Sequence, residues 1–345
     1  MPVITSPIDG QPAFSFDLLD DAEIARRLSL ASGTARAWRE TDLASRVALC
    51  RGMLRAYAAR LDENARAITR MMGKPIGQSR GEFERTMVER TEHLCAIAAE
   101  ALADEVLPKK AGFRRFIRQE PVGVVLDIAA WNYPLAIAVN VIVPAVLAGN
   151  AVLVKHASQT ALVADQFERA FLDAGAPEGL VQAMPMDHAA TARLIDSRAL
   201  GYVSFTGSVR GGHEVYRALA QQNFIAAGME LGGKDPALVL EDADVAYAAE
   251  NLVDGAFYNA GQSCCGIERI YVVDRVYDRF VEAFVAGAKQ YAMGDPLDPK
   301  TTLGPMVDAK SADFVRGQVA DAIAAGAKLL VGDRDFAVPD RSRCY

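Results

Sequence analysis

The run Val122-Gly123-Val124-Val125-Leu126-Asp127-Ile128-Ala129-Ala130 is apolar at almost every position. Short apolar runs of this kind are typical of strands that are buried on both faces of a parallel sheet. Downstream of it, strands are predicted at 151–154, 180–183, 201–205 and 237–240, and helices at 160–174, 189–196 and 211–222. Alternation at this interval predicts βαβ units, and therefore an α/β fold with a doubly wound parallel sheet.

The chain upstream of this run has a different pattern. Residues 20–103 place apolar side chains at three- and four-residue spacing, most clearly in 45–61 and 63–72, and this spacing predicts helices. Gly73-Lys74-Pro75 is expected to end one helix, and another is expected to run from 83 to 101. Residues 113–120 mix apolar and charged residues in near alternation, which predicts a solvent-exposed β-ribbon.

Composition limits the class of protein. With 345 residues and 51% hydrophobic content, the chain can bury a large core, and two domains are expected. Its net charge of −7 provides no basic surface, so neither nucleic acid nor an anionic membrane is expected as a partner. No signal peptide is recognised, and polar residues interrupt the long apolar region 122–154, which is therefore not a predicted membrane span.

Cysteine and histidine usage indicates a reducing compartment and no metal. The five cysteines are an odd number, none has C-x-x-C spacing and two are adjacent, so we expect a cytoplasmic protein without a disulfide framework. The four histidines are scattered without an H-x-x-x-H pair, and no metal site is predicted.

The two adjacent thiols lie in the run Tyr258-Asn259-Ala260-Gly261-Gln262-Ser263-Cys264-Cys265-Gly266. A helix-compatible apolar segment precedes this run, and a strand-like segment follows it. A cysteine on such a glycine-flanked turn can be an exposed nucleophile. Free cysteines are also often small buried apolar residues, and on this stretch alone both interpretations stand.

Polar residues follow several of the predicted strands. Asn132 can donate an amide hydrogen bond at the end of the first strand, and Lys155 and Ser158 follow the next one, where they can bind a ribose or a phosphate. A locally satisfied asparagine and a solvated lysine are the plain alternatives at these positions.

Two further segments combine glycine with a chemical function. Around Gly207 and Gly212, a glycine-containing turn between a strand and a helix can offer backbone N–H groups to a phosphate, although the spacing is not G-x-G-x-x-G. Glu230 precedes two glycines, on what is predicted to be a flexible turn, and can act as a general base. Taken singly, each of these motifs is weak.

The motifs together, in this order, resemble the aldehyde dehydrogenase superfamily from near the start of the chain to about residue 335. The resemblance is carried by Trp131-Asn132-Tyr133-Pro134, Phe205-Thr206-Gly207-Ser208, Glu230-Leu231-Gly232-Gly233-Lys234 and Gly261-Gln262-Ser263-Cys264. Supporting matches are Gly73-Lys74-Pro75, Glu120-Pro121-Val122-Gly123-Val124, Gly149-Asn150 and Leu303-Gly304-Pro305-Met306.

The resemblance implies a role for each catalytic residue. Cys264 matches the family nucleophile and Cys265 its neighbour; the oxyanion would be held by the Asn132 amide and the Cys264 backbone N–H. Glu230 would activate the water that hydrolyses the thioester, so a carboxylic acid is the expected product of an aldehyde substrate. The cofactor is expected to be NAD or NADP, bound by Trp131, Lys155, Ser158, Gly207, Ser208, Gly211, Gly212 and Leu231.

Two departures from the family pattern carry expectations of their own. Many strictly NAD-using members have an acidic residue where this chain has Ser158, so tolerance of NADP is expected. A further motif that contacts the nicotinamide ribose, and a carboxyl-terminal strand used in oligomerisation, do not follow residue 332. The catalytic domain is therefore expected to be incomplete, and a catalytically inactive cofactor-binding remnant is the alternative to an active enzyme.

The resemblance also implies the division of the chain. Residues 1–105 and 122–233 would form an NAD(P)-binding domain of Rossmann type, 106–121 an oligomerisation β-ribbon, and 234–345 the partial α/β catalytic domain. Full-length relatives are expected to be homo-oligomers. Bacterial members that oxidise semialdehydes share the context of Lys155-His156-Ala157, which is a weak indication of the substrate class.

Overall fold

The computed structural model describes residues 1–337 and 343–345. Its strands are β1 Val3–Thr5, β2 Pro12–Ser15, β3 Glu105–Val106, β4 Phe116–Ile117, β5 Val124–Ala129, β6 Ala151–His156, β7 Val181–Ala183, β8 Tyr202–Gly207, β9 Ala226–Leu231, β10 Asp235–Val239 and β11 Ile267–Val272. Its α-helices are α1 Asp21–Trp38, α2 Leu43–Ala58, α3 Leu61–Met72, α4 Ile76–Gly81, α5 Val88–Ala101, α6 Pro134–Leu147, α7 Leu162–Asp173, α8 His188–Asp196, α9 Val209–Gln222, α10 Val245–Phe257, α11 Asp274–Ala288 and α12 Ala309–Ala324.

The chain divides into two compact units. We call residues 17–64 and 82–230 the sheet unit, and residues 1–16, 65–81 and 231–345 the thiol unit. The predicted domain boundaries, which follow family roles, stay predictions.

The sheet unit is built on a five-stranded sheet with the strand order β7-β6-β5-β8-β9. β5 pairs in parallel with both β6 and β8, and β6 pairs in parallel with β7. The predicted α/β class with a parallel sheet is therefore confirmed. All six residues of β5 and all six of β6 are buried, as expected for central strands that are covered on both faces.

Helices cover the sheet. On one face, Leu126, Leu153 and Val203 pack against apolar side chains of α1, α8 and α9. Helix α6 contributes ten buried residues to the core of the same unit, and Phe167 and Phe171 of α7 are fully buried. Burial of one such aromatic side chain stabilises the fold by about 1.5–3 kcal/mol.

The thiol unit contains a two-stranded parallel sheet, in which β10 pairs with β11. A small apolar core formed by Val239, Val245, Ala249, Val276 and Phe280 joins this sheet to α10 and α11.

Two local predictions were wrong. The β-ribbon predicted at 113–120 is limited to β4, which makes only two residue pairs with β3. Both strands are exposed, so side-chain packing does not extend the ladder. The oligomerisation role of this segment stays a prediction.

The second wrong prediction is the flexible turn at Glu230, because the structure has strand β9 there. Gly228 interrupts the apolar alternation that would have signalled a strand. A β-carbon at Gly228 would overlap the hydroxyl of Tyr202 on the neighbouring strand, so a larger residue here would have to displace that side chain.

Candidate functional site

The sheet brings several of the predicted site residues to one edge of the sheet unit. The parallel register pairs Ala129 at the end of β5 with His156 at the end of β6, and Ile128 with Phe205 of β8. The segments that follow these strands therefore leave the sheet at the same level. Trp131 and Asn132 follow β5. Lys155 and Gly207 lie at the ends of β6 and β8, and Ser208 follows β8. Ligands of parallel sheets bind at this edge.

The end of β6 holds two titratable residues with different environments. Lys155 is buried, and burial lowers the pKa of its ammonium, while the charge of Asp187 opposes the shift. Burial lowers the pKa of His156 to about 4, so its imidazole is neutral at pH 7. Its Nε2 lies 3.1 Å from the carbonyl oxygen of Pro134, and its Nδ1 lies 2.9 Å from the hydroxyl of Thr160. The neutral ring donates to the carbonyl and accepts from the hydroxyl, so His156 ties β6 to the start of α6.

Glu82 holds the other side of the segment that carries Asn132. Its Oε1 accepts hydrogen bonds from the backbone N–H groups of Leu135 and Ala136, at 2.8 and 2.9 Å. These are the first donors of α6, whose own N-cap residue, Tyr133, makes no side-chain cap. A buried carboxylate therefore caps the helix that begins two residues after Asn132. This role could not be predicted from the sequence, since no local pattern relates Glu82 to residues so far along the chain.

The turn between β8 and α9 is organised around Ser208 and Phe205. Ser208 is the N-cap of α9, and its hydroxyl accepts from the backbone N–H of Gly211 at 3.1 Å. A β-carbon at Gly207 or Gly211 would lie 2.7 or 2.6 Å from the Phe205 ring, so ring packing requires glycine at both positions. The Gly211 N–H therefore serves the cap, and the positive end of the helix dipole remains as the feature that attracts an anion. Gly212, in the first turn of α9, is buried.

Three other predicted site residues lie near strand or turn ends. Ser158 is exposed and begins a short 3-10 turn, Ser158–Thr160, after β6. Glu230 and Leu231 are the last two residues of β9, where Glu230 is exposed and Leu231 is half-buried. Gly232 then turns the chain with a φ of 62°, in the left-handed region.

In the thiol unit, the chain before the cysteines runs through an uncommon backbone conformation. Asn259, Ala260 and Gly261 have φ values of 56°, 56° and 71°. Asparagine and glycine adopt this left-handed region readily, but alanine does so at a cost of about 1–2 kcal/mol. Such strain persists only where the surroundings fix the turn.

Gln262 supplies the restraint. Its side-chain N–H donates to the carbonyl oxygen of Asn259 at 3.0 Å, and its side-chain oxygen accepts from the backbone N–H of Val307 at 2.8 Å. The Asn259 side chain returns a hydrogen bond to the Gln262 carbonyl oxygen at 3.2 Å. Both residues are buried. This restraining role of Asn259 and Gln262 was not predicted from the sequence. Two amide side chains in one short turn are the pattern that could have indicated it.

Both thiols at the end of this turn are exposed, so burial as small apolar side chains does not describe them. Partial burial raises the pKa of the Cys264 thiol, and the charge and hydrogen bond of neighbouring Cys265 raise it further. The Cys265 sulfur lies 3.3 Å from the hydroxyl of Ser263. Cys264 is thus accessible, but its ionised form is disfavoured by its neighbour.

Among the described residues, no group of three or more His, Cys, Asp and Glu side chains could hold a metal ion. In the same part of the chain, no helix combines the length and the apolar character needed to cross a bilayer.

The sequence model of the Aldehyde dehydrogenase family matches residues 2–344. The chain belongs to the aldehyde dehydrogenase family. It is 36% identical over 323 residues to the succinate semialdehyde dehydrogenase [NAD(P)+] of Escherichia coli, a match covering 92% of this chain and 68% of that enzyme. It is 33% identical to the succinate-semialdehyde dehydrogenase [NADP(+)] of Mycobacterium avium, with 98% and 72% covered.

Solved structures agree with these relatives. The succinic semialdehyde dehydrogenase of Streptococcus pyogenes, in complex with NADP+, superposes with a TM-score of 0.92 at 29% identity, covering 99% of this chain and 74% of that one. The chain spans 64–72% of the length of five similar curated proteins.

The predicted family, the fold class and the class of NAD(P)-dependent enzymes are therefore confirmed. The roles of individual residues, the homo-oligomer and the cytoplasmic location stay predictions.

Proposed function

We propose that this protein oxidises an aldehyde of the semialdehyde class to a carboxylic acid, with NAD(P)+ as the electron acceptor. The observation that carries the proposal is Cys264, an exposed thiol at the end of a strained turn that Gln262 restrains. A restrained turn keeps a nucleophile in place. Relatives named as succinate semialdehyde dehydrogenases support the substrate class.

In the first step, the Cys264 thiolate attacks the aldehyde carbon, and a thiohemiacetal forms. The Asn132 amide and the Cys264 backbone N–H donate to the developing oxyanion; donors of this kind are typically worth ~2.7–4 kcal/mol each. Glu82 and His156 hold the start of α6, and so position the segment that carries Asn132. Because the pKa of the Cys264 thiol is raised, we expect the rate of attack to increase with pH as this thiol ionises.

The residues at the strand ends fit a dinucleotide. An ammonium at Lys155, a hydroxyl at Ser158 and the amino end of α9 behind Gly207 together offer donors for ribose and pyrophosphate. NAD(P)+, when bound, supplies the acceptor for the hydride that leaves the thiohemiacetal. Trp131 and Leu231 complete the set of proposed cofactor-binding residues.

In the last step, the thioester on Cys264 is hydrolysed. Glu230 takes a proton from water as the water attacks the thioester carbon, and the carboxylic acid leaves with Cys264 restored. The exposed position of Glu230 at the end of β9 gives water access to its carboxylate.

The test is NAD(P)H formation, followed by absorbance, with a panel of aldehydes that includes semialdehydes and uncharged analogues of the same length. Cys264→Ala is expected to abolish turnover, whereas the matched variant Cys265→Ala is expected to retain it. Glu230→Gln should form one equivalent of NAD(P)H per site and then stall as the thioester. Turnover that survives Cys264→Ala would overturn the proposal. A soluble wild-type chain that binds NAD(P)H but turns over no aldehyde would instead support a cofactor-binding protein.

A further inference from the structure

A second pair of cysteines lies inside the sheet unit. Cys50 belongs to α2 and Cys95 to α5, two helices that pack against each other, and each thiol shifts the pKa of the other. Cys50 is fully buried and Cys95 is 7% exposed. Neither residue has a part in the chemistry proposed above. Two thiols that influence each other therefore lie on two packed helices that are distant in sequence.

The charges around the pair distinguish the two thiols. Arg51 forms an ion pair with Glu92 at 2.9 Å, which joins α2 to α5 beside the cysteines. The hydrogen bond from Cys50 lowers the pKa of Cys95, and the nearby Arg51 guanidinium lowers it further, against the effects of burial and of Glu92. The same hydrogen bond and burial raise the pKa of Cys50. Cys95 therefore ionises before Cys50 does.

A surface groove leads to the same sulfur. It has a volume of about 570 Å³ and lies along α2 and α5. The residues that line it include Leu43, Val47, Arg51, Arg55, Cys95 and Ala99. A small molecule in this groove can reach Cys95, whereas Cys50 does not line the groove and is fully buried.

We propose that Cys50 and Cys95 form an oxidisable dithiol site, which hydrogen peroxide converts to a disulfide that joins α2 to α5. The Cys95 thiolate attacks one peroxide oxygen, the O–O bond breaks, and Cys95 becomes a sulfenic acid as hydroxide leaves and takes up a proton to form water. The Cys50 sulfur then attacks the Cys95 sulfur, and the sulfenic hydroxyl leaves with the Cys50 proton as a second water. Two thiols are oxidised, and one peroxide is reduced to two waters.

The geometry limits what the reaction requires. The two sulfur atoms must approach to about 2.05 Å, so their side chains have to move, but the helices are already packed together. The disulfide would close the chain between α2 and α5, and so reduce the conformational freedom of the unfolded state. In a reducing compartment the bond would be transient, as expected of a redox-sensing thiol pair.

The test is a peptide map of the wild-type chain after brief exposure to hydrogen peroxide, quenched in acid and alkylated before unfolding. Trypsin separates Cys50 and Cys95 from each other and from the other two thiols. Cys50 lies on Val47–Arg51 and Cys95 on Thr91–Lys109, while Cys264 and Cys265 share Asp235–Arg269. The expected result is a cross-linked pair of the first two peptides with the loss of two hydrogen atoms, reversed by dithiothreitol. Thermal unfolding of the oxidised chain should shift to higher temperature.

Variants separate the order of events. In Cys50→Ser, the Cys95 sulfenic acid should persist and be trapped by dimedone. In Cys95→Ser, Cys50 should remain reduced, and neither the dimedone adduct nor the cross-linked peptide pair should form. Cys264→Ser leaves the pair intact and should give the same cross-linked peptides. Oxidation confined to Asp235–Arg269, or Cys95 sulfinic acid in a wild-type chain whose Cys50 still alkylates after unfolding, would overturn the proposal, as would no reaction at either cysteine. None of these outcomes depends on turnover, so the proposed function is tested separately.

Discussion

The backbone of Gly233 lies directly against the backbone of Cys264, so closely that a β-carbon on Gly233 would overlap the Cys264 carbonyl oxygen. The glycine that follows Glu230, Leu231 and Gly232 thus has a steric reason, since no other residue allows the two backbones to meet. Gly233 and the turn that ends in Cys264 are therefore two parts of one packing arrangement within the thiol unit.

Gly233→Ala tests this relationship. The added methyl must displace the Cys264 carbonyl, so we expect a loss of about 2 kcal/mol or more in the free energy of unfolding, measured by urea denaturation. We also expect slower reaction of Cys264 with a thiol reagent. The control is Gly317→Ala, since Gly317 lies in α12 with nothing near its missing β-carbon, and helix propensity there favours alanine by roughly 1 kcal/mol. Equal behaviour of the two variants would contradict the steric argument.

Cys265→Ala should make Cys264 more acidic. Besides burial, the charge and the hydrogen bond of Cys265 raise the pKa of the Cys264 thiol, and alanine removes both of these contributions. The pH profile of Cys264 alkylation by iodoacetamide, read on the tryptic peptide, should therefore move to lower pH. Part of the increase in the Cys264 pKa should remain, because the thiol is still partly buried in this variant. Ser263→Ala is the control, since it removes a hydroxyl that contacts Cys265 rather than Cys264. A profile that moves to higher pH in Cys265→Ala would exclude the argument.

Asp127 should make stability depend on pH. Its carboxyl is fully buried in β5, neither oxygen has a hydrogen-bond partner among the described residues, and burial raises its pKa well above the usual range. The unfolded chain therefore releases this proton at lower pH than the folded chain does. The stability associated with the neutral carboxyl is fully present below the unfolded pKa and is lost as pH rises toward the folded one, by up to about 1.4 kcal/mol per pH unit.

Asp127→Asn should remove this dependence. Relative to wild type, its free energy of unfolding should increase steadily from pH 4 to neutral pH, as measured by urea denaturation at each pH. Exposed Asp17→Asn is the control, because it separates the loss of a buried carboxyl from the loss of any carboxyl. Parallel pH curves for wild type and Asp127→Asn would show that Asp127 is not buried as a neutral acid.

Ser158 should decide whether NADP is accepted. Its exposed hydroxyl carries no charge that would repel a 2′-phosphate, whereas a carboxylate at the same place would repel it. In the proposed enzyme, Ser158→Glu should lower kcat/KM with NADP by at least tenfold while that with NAD is maintained or improved. Ser158→Gln has the same shape without the charge and should keep NADP use. An NADP efficiency at background level in wild type would contradict the expectation.

Much of the fold follows from local patterns. The apolar run that became β5 and the alternation after it predicted the parallel sheet, because strand and helix periodicities are properties of neighbouring residues. Strand β9 was not predicted, because Gly228, which lies against the Tyr202 side chain of the adjacent strand, interrupts its apolar alternation. The ribbon predicted at 113–120 was longer than the observed strand β4, which makes only two residue pairs with β3 and has little side-chain packing to extend it.

The candidate site was also predictable from the sequence only in part. Residue order alone marked Cys264, Glu230, Asn132 and the strand-end residues as candidates, since the chemistry of a thiol, a carboxylate or an amide is carried by the residue itself. The cap that Glu82 provides for α6, and the pair formed by Cys50 and Cys95, could not be read from the sequence.

By itself, the sequence determined the class of fold, the family and the residues able to do chemistry, because short-range periodicity and motif order are written along the chain. Only the tertiary structure decided which glycine is sterically required, which buried carboxyl has no hydrogen-bond partner among the described residues, and which thiols influence each other. These properties depend on contacts between residues distant in sequence, and packing places them where no local pattern can.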